Sequence, residues 1–216
     1  MSTRPTLPAI ENELKKRLAY PYAWGRRQSD RFDQATRFIY TTFSFEELLR
    51  ESQRRFNGQA DGKEYLNYAL NRWYNFWSAV AVERVFCTLP DVQPAINPRD
   101  RLVDFTIQGI TFDHKTSVFP KNFSQCHSLA AKNPRPLIQW LYDNQSQEGR
   151  RHWQNRLYIL LYAADGQHWK LKAEIGLLQQ AVEAYVATFN RDQLHAFDLH
   201  TGSPTLADII WVNSGL

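Results

Sequence analysis

The feature that most constrains this chain is a change of hydrophobic period between residues 101 and 118. Arg101 to Gln108 and Ile110 to Val118 alternate apolar and polar residues with period two, and the runs meet at Gln108-Gly109. Two alternating runs joined by a two-residue turn containing glycine read as a β-hairpin. With Gln108 and Gly109 at the central turn positions, Asp104 stands opposite Asp113. Directly opposed residues carry Cβ atoms roughly 4.5–5.5 Å apart on one face of the sheet. Lys115 joins that face, because side chains on a strand alternate sides. Val103, Phe105, Ile107, Ile110 and Phe112 form the other, apolar face, with His114 among them.

Opposed like charges destabilise a hairpin unless something compensates them. A hard divalent cation does so: Mg²⁺ takes one or two carboxylates and completes its octahedron with water and substrate phosphate, and Mn²⁺ is an alternative occupant. Such an ion polarises a scissile phosphate and acidifies bound water. Lys115 is then placed to orient the attacking water or to stabilise charge in the transition state. Glu83 offers a third acid. Phe76, Ala79, Val80, Phe86 and Cys87 surround it at helical spacing, which predicts a buried carboxylate that completes the acidic cluster and the metal site.

The rest of the chain reads as one domain. Residues 1–60 are a helical elaboration, with two or three amphipathic helices over 11–56 broken near Pro21 and Gly25. Residues 63–165 form the core. Asp61 and Glu64 have capping-box spacing and start a long helix from Lys63 to about Phe86, with Leu66, Leu70, Trp73, Trp77 and Val80 on one stripe. The run from Gly58 to Lys63 has some character of a phosphate loop, but it is one residue short and followed by Glu64, so a helix cap explains it better. Pro90, Pro94 and Pro98 end the helix. After the hairpin come a polar stretch, a short helix from Pro136 to Tyr142 and a buried strand from Leu157 to Ala163. Residues 166–216 supply a helix over about 171–189 and an edge strand around Ile209 to Val212.

Asp104, then Asp113-x-Lys115 on the following strand, with Glu83 on the preceding helix, resembles the PD-(D/E)XK nuclease superfamily. The resemblance covers about residues 66–162. It implies an α/β restriction endonuclease-like core, a mixed central sheet flanked by helices, here with a helical N-terminal extension. It also implies metal-dependent hydrolysis of phosphodiester bonds in DNA by an endonuclease, with Asp104 and Asp113 as ligands, Lys115 positioning water and Glu83 as auxiliary acid. Val103 stands where the family often has proline, and Asp113 where glutamate is commoner. Cutting both strands of a duplex from one site per chain favours a homodimer. The competing reading is a nuclease-like fold that no longer cleaves and serves as a nucleic-acid-binding or scaffolding subunit.

A net charge of +4 suits a polyanionic partner. Basic residues mix with aromatics at Lys15 to Arg27 and at Arg150, Arg151, His152, Trp153 and Arg156, and either cluster can grip a phosphate backbone. Lys121, Lys132 and Arg135 follow Lys115 in sequence and are expected nearer the metal. Two cysteines, Cys87 and Cys126, form no disulfide framework and read as buried thiols. No apolar run is long enough to span a bilayer, and the start of the chain has no signal-peptide pattern, so no membrane association and a cytoplasmic address are expected.

Overall fold

The computed structural model describes residues 4–24, 30–97, 102–145, 153–199 and 202–215. It divides into two compact units, Met1–Ala81 with Lys172–Gly176, and Val82–Leu171 with Leu177–Leu216.

The first unit is helical: α1 (Leu7–Lys16), α2 (Asp30–Ala35), α3 (Phe45–Phe56) and most of α4 (Gly62–Thr88). Local chemistry sets the starts. The Thr6 hydroxyl accepts from the Ala9 amide, and the Ser44 side chain accepts from Glu47. Helix α3 carries Glu46 and Glu47 in its first turn and Arg54 and Arg55 in its last, as the helix dipole favours. Gly62 is required by close packing, because a Cβ there would collide with the Phe56 carbonyl.

The expected single stripe on α4 is wider than its spacing suggested. Tyr68, Ala69, Leu70, Asn71, Trp73 and Tyr74 are all buried, so the helix is enclosed nearly all round over this stretch. Aromatic packing does much of this: Phe32 stacks on Tyr65 at 4.1 Å and Phe56 on Tyr65 at 4.7 Å between ring centroids. Arg17 is also sealed in, donating to the Tyr20 carbonyl (2.7 Å), the Pro21 carbonyl (3.0 Å) and Asn71 Oδ1 (2.7 Å).

The second unit is a central mixed sheet flanked by helices. Its strands are β1 (Val92–Pro94), β2 (Phe105–Ile107), β3 (Ile110–Val118), β4 (Arg156–Ala163), β5 (His195–Phe197) and β6 (Thr205–Ser214), in the spatial order β1-β2-β3-β4-β6-β5. β1, β2 and β3 form an antiparallel meander. β4 runs parallel to both β3 and β6, and β5 closes the far edge antiparallel to β6. The hairpin register is the one its turn demands: Phe105 pairs with Phe112 and Ile107 with Ile110. Gln108 and Gly109 both have positive φ, 47° and 78°, which matches the mirror-image turn that follows strand twist.

Two expectations are corrected. The C-terminal strand is interior rather than an edge, because the three residues of β5 pair along it. The prolines do follow the end of α4 at Thr88, but Pro94 closes a short strand, β1, that the alternation does not predict. Its Pro94 is tolerated on an edge strand, where a missing amide costs no ladder bond.

Between β3 and β4 lie α5 (His127–Lys132) and α6 (Arg135–Asp143), and α7 (Ile175–Ala187) follows β4. Leu137, Ile138, Leu141 and Tyr142 of α6 pack with Tyr158, Leu160, Ala207 and Ile209 on one sheet face. On the hairpin, Phe105 stacks with Phe86 near the end of α4, and Phe112 meets Phe189 edge-on. β4 is buried along almost its whole length, as its unbroken apolar run requires of a central parallel strand.

Candidate functional site

The site lies where the hairpin hands over to the parallel strands. Asp113 pairs in register with Arg156 at the start of β4, and Lys115 with Tyr158, so these four side chains share the face covered by α6. Asp104 sits one residue before β2. Its amide donates to the Phe112 carbonyl (2.8 Å), so Asp104 and Phe105 both stand against Phe112. That slip resembles a β-bulge, a device that re-aims a side chain. The expected direct pairing of Asp104 with Asp113 therefore gives way to a re-aimed Asp104 whose carboxylate is held by His114 and acts on Asp113 through its charge.

Each carboxylate is held by a buried partner. Oδ2 of Asp104 accepts from the His114 backbone amide (2.8 Å) and bonds the His114 ring at Nδ1 (2.6 Å). The His114 side chain is only 6% exposed and lies against Phe86 and Phe105, on the apolar face where the alternation put it. Oδ2 of Asp113 accepts from Arg156 Nε (2.6 Å) and pairs with Nη2, while Arg156 Nη1 donates to Gln145 Oε1 (3.0 Å). Lys115 Nζ makes a long contact of 3.5 Å to the Gln145 carbonyl. The side chains of Asp104 and Asp113 keep 22% and 19% of their surface exposed, so solvent reaches both.

The electrostatics follow from these contacts. Burial pushes Asp104 up, but the hydrogen bonds and charge of His114 outweigh it and hold Asp104 below the usual carboxylate range. His114 is raised above its ordinary value, because its bond to Asp104 overcomes burial. Asp113 is raised by burial and by the neighbouring Asp104 charge, beyond what Arg156 offsets. Burial and the adjacent Arg156 both lower the Lys115 ammonium. Two neighbouring acids, one raised and one lowered, are thus set among His114, Arg156 and Lys115.

The bonds to His114 and Arg156 engage Oδ2 of Asp104 and of Asp113, and one or two carboxylates are the usual protein share of a Mg²⁺ shell. Among the described residues, no group of three or more His, Cys, Asp or Glu side chains is arranged to hold a metal ion. Glu83 thus does not complete a three-acid cluster. It is exposed, because the buried positions at this end of α4 are Ala81, Val82, Val85 and Phe86, one residue away from the expected stripe. Its charge nevertheless reaches His114 and Cys87.

The basic residues divide differently from their order in sequence. Arg156 is only 4% exposed and belongs to the acidic site, not to an outer phosphate grip. Arg150 and Arg151 lie outside the described residues. Lys121, Lys132 and Arg135 are exposed, but Lys121 follows the far end of β3 and its charge acts on His168, beyond the end of β4. Arg135 opens α6 over the Phe197 ring (4.7 Å), at the opposite end of that helix from Gln145. Nearness in sequence failed here because a strand advances about 3.3 Å per residue. The signal for Arg156 was present: a cation opening an apolar buried run needs a counter-ion, and Asp113 occupies the matching place on β3. Of the two thiols, Cys126 is exposed and Cys87 half-buried, correcting the expectation that both are buried.

No family model, curated protein or solved structure matches the chain. Among the described residues no helix is long and apolar enough to cross a membrane.

Proposed function

We propose that this chain is a magnesium-dependent nuclease of the PD-(D/E)XK kind, cutting phosphodiester bonds in DNA. The observation that carries the reading is that Asp113 and Lys115 share one face of β3, while Asp104, one residue before β2, is bonded to His114 between them. The element order supports it: a helix, an antiparallel three-stranded meander, helices, then a strand parallel to the third. The resemblance implies a mixed central sheet flanked by helices, and this arrangement is of that kind.

When bound, Mg²⁺ supplies Lewis-acid polarisation of the scissile phosphate. The protein's own residues do the rest. Asp104, fixed by His114, and Asp113, fixed by Arg156, present preset oxygens, so little reorganisation is needed on binding. Lys115, half-buried and with its ammonium pKa lowered, directs an N–H at the attacking water and at charge developing on the phosphate oxygens. Gln145, which touches both Lys115 and Arg156, keeps the two cations in place.

The test is cleavage of supercoiled plasmid DNA with Mg²⁺ and with EDTA. The wild type is expected to nick and linearise the plasmid only with Mg²⁺, and Asp113→Ala or Lys115→Ala to abolish cleavage while the protein stays folded. Full activity in both variants, or none in the wild type with either Mg²⁺ or Mn²⁺, overturns the proposal. DNA binding by a wild type that cuts with neither ion would favour the non-cleaving, nucleic-acid-binding alternative.

A further inference from the structure

The helical unit holds a cavity of about 520 Å³, and every residue that lines it belongs to that unit. The volume lies within the range of sites for small organic ligands. Leu49, Ser52 and Phe56 of α3 form one wall at helical spacing, and Tyr20 and Leu66 extend its apolar surface. The turn from Gly58 to Lys63 closes another side. Ser52 is only 1% exposed, and its hydroxyl has no hydrogen-bond partner in the protein. A buried hydroxyl left unpaired is costly, and the cavity beside it is where a partner can stand. Among the described residues that line the cavity, Lys63 alone carries a charge. It is exposed, and it stands in the first turn of the 27-residue α4, the positive end of the helix dipole, where acids are the favoured residues. Asp61 and Glu64, the acids nearest it in sequence, are not lining residues. The mouth thus adds a full cation to a partial one, a setting that suits an anion.

We propose that this cavity binds a small amphipathic anion. Its flat apolar body seats against Leu49, Phe56 and Leu66, a polar atom on that body pairs with the Ser52 hydroxyl, and a carboxylate or phosphate head meets the Lys63 ammonium at the mouth. Each contact answers one feature of the free protein: apolar surface left uncovered, a hydroxyl without a partner and a cation on the wrong end of a helix. Ser52 can donate or accept, so it takes either a carbonyl or a hydroxyl on the ligand. The site is independent of the acidic residues on the sheet and of any nuclease activity.

The experiment is amide chemical-shift titration of the isotope-labelled full chain with three probes that share one ring: para-hydroxyphenylacetate, para-hydroxyphenyl phosphate and the neutral alcohol tyrosol. In the wild type, at least one anion is expected to shift the amides around Ser52 and Lys63 saturably, about tenfold more tightly than tyrosol does. The tighter of the two anions identifies the head group. Lys63→Gln should erase the preference for charge. Ser52→Ala should weaken every probe several-fold while its midpoint in chemical denaturation stays equal or rises, because it removes a hydroxyl that has no partner in the free protein. A serine with a purely structural role would lower that midpoint instead. No saturable shift with either anion at millimolar concentration, which would mean a cavity that holds water only, overturns the proposal. So does equal affinity for tyrosol and both anions, or a lowered midpoint in Ser52→Ala. The wild-type comparison stands even if neither variant folds, and with no metal or DNA in the assay its outcome is separate from that of the cleavage test.

Discussion

Among the described residues two arginines are buried, one in each compact unit, and they are satisfied in different ways. Arg17 directs its guanidinium at two backbone carbonyls and the Asn71 amide oxygen, within the helical unit. Burial lowers its pKa, as expected for a cation held by polar rather than charged acceptors. Arg156 instead faces Asp113, and its pKa is raised: burial works against the charge, and the Asp113 carboxylate outweighs it. Arg17 pins the chain after α1. Arg156 is tied to an acid that is itself crowded by a second acid. A buried charge on neutral acceptors holds backbone in place, whereas one set against a crowded carboxylate also bears on the charge of its neighbours.

That distinction can be broken by substitution. The largest expected effect is on activity, where loss of Asp113 or Lys115 removes cleavage, and Arg17→Met leaves cleavage per folded molecule unchanged. The next is on stability. Arg17→Met strands three acceptors and should cost about 3 kcal/mol in chemical denaturation. Arg156→Met should cost a similar amount by leaving the half-buried Asp113 carboxylate without its partner. The second loss alone is expected to be rescued. Arg156→Met combined with Asp113→Asn should recover roughly 2 kcal/mol of it, since removing both members of a buried pair is far cheaper than removing one. No recovery in the double variant would mean that Arg156, like Arg17, serves mainly its neutral neighbours.

A smaller effect concerns pH. His114 is raised above its ordinary 6.5, so its stabilising contribution is complete below that value and is lost as pH rises through its folded value. Asp104 is lowered beneath 3.8, so its share persists above that value and is lost as pH falls through its folded value. In metal-free buffer the stability gap between the wild type and His114→Gln should be wider at mildly acidic pH than at alkaline pH. A gap independent of pH would show that the pair is held by packing instead of charge.

Much of the site was legible because the hairpin carries its own register. The glycine turn, the period-two alternation and the apolar run of β4 placed Asp113, Lys115 and His114 on their correct faces before any contact was known. Three things were hidden. The slip at Asp104 depends on how β2 begins, which a three-residue strand does not announce. The side on which Glu83 falls is hidden because both sides of the long helix are rich in apolar residues, and a shift of one position exchanges buried for exposed. Arg156 looked like part of a basic cluster because its partner lies 43 residues earlier, across a parallel pairing that sequence proximity does not reveal.

The claim on which everything turns is that Asp104 and Asp113 share one ion. Anomalous diffraction from a crystal soaked in Mn²⁺ tests it most directly. The account predicts one peak at coordination distance, roughly 2.0–2.4 Å, from an oxygen of each aspartate, with Lys115 on the same side of the sheet. A peak held by one aspartate alone, or density at the metal only elsewhere in the molecule, would contradict it.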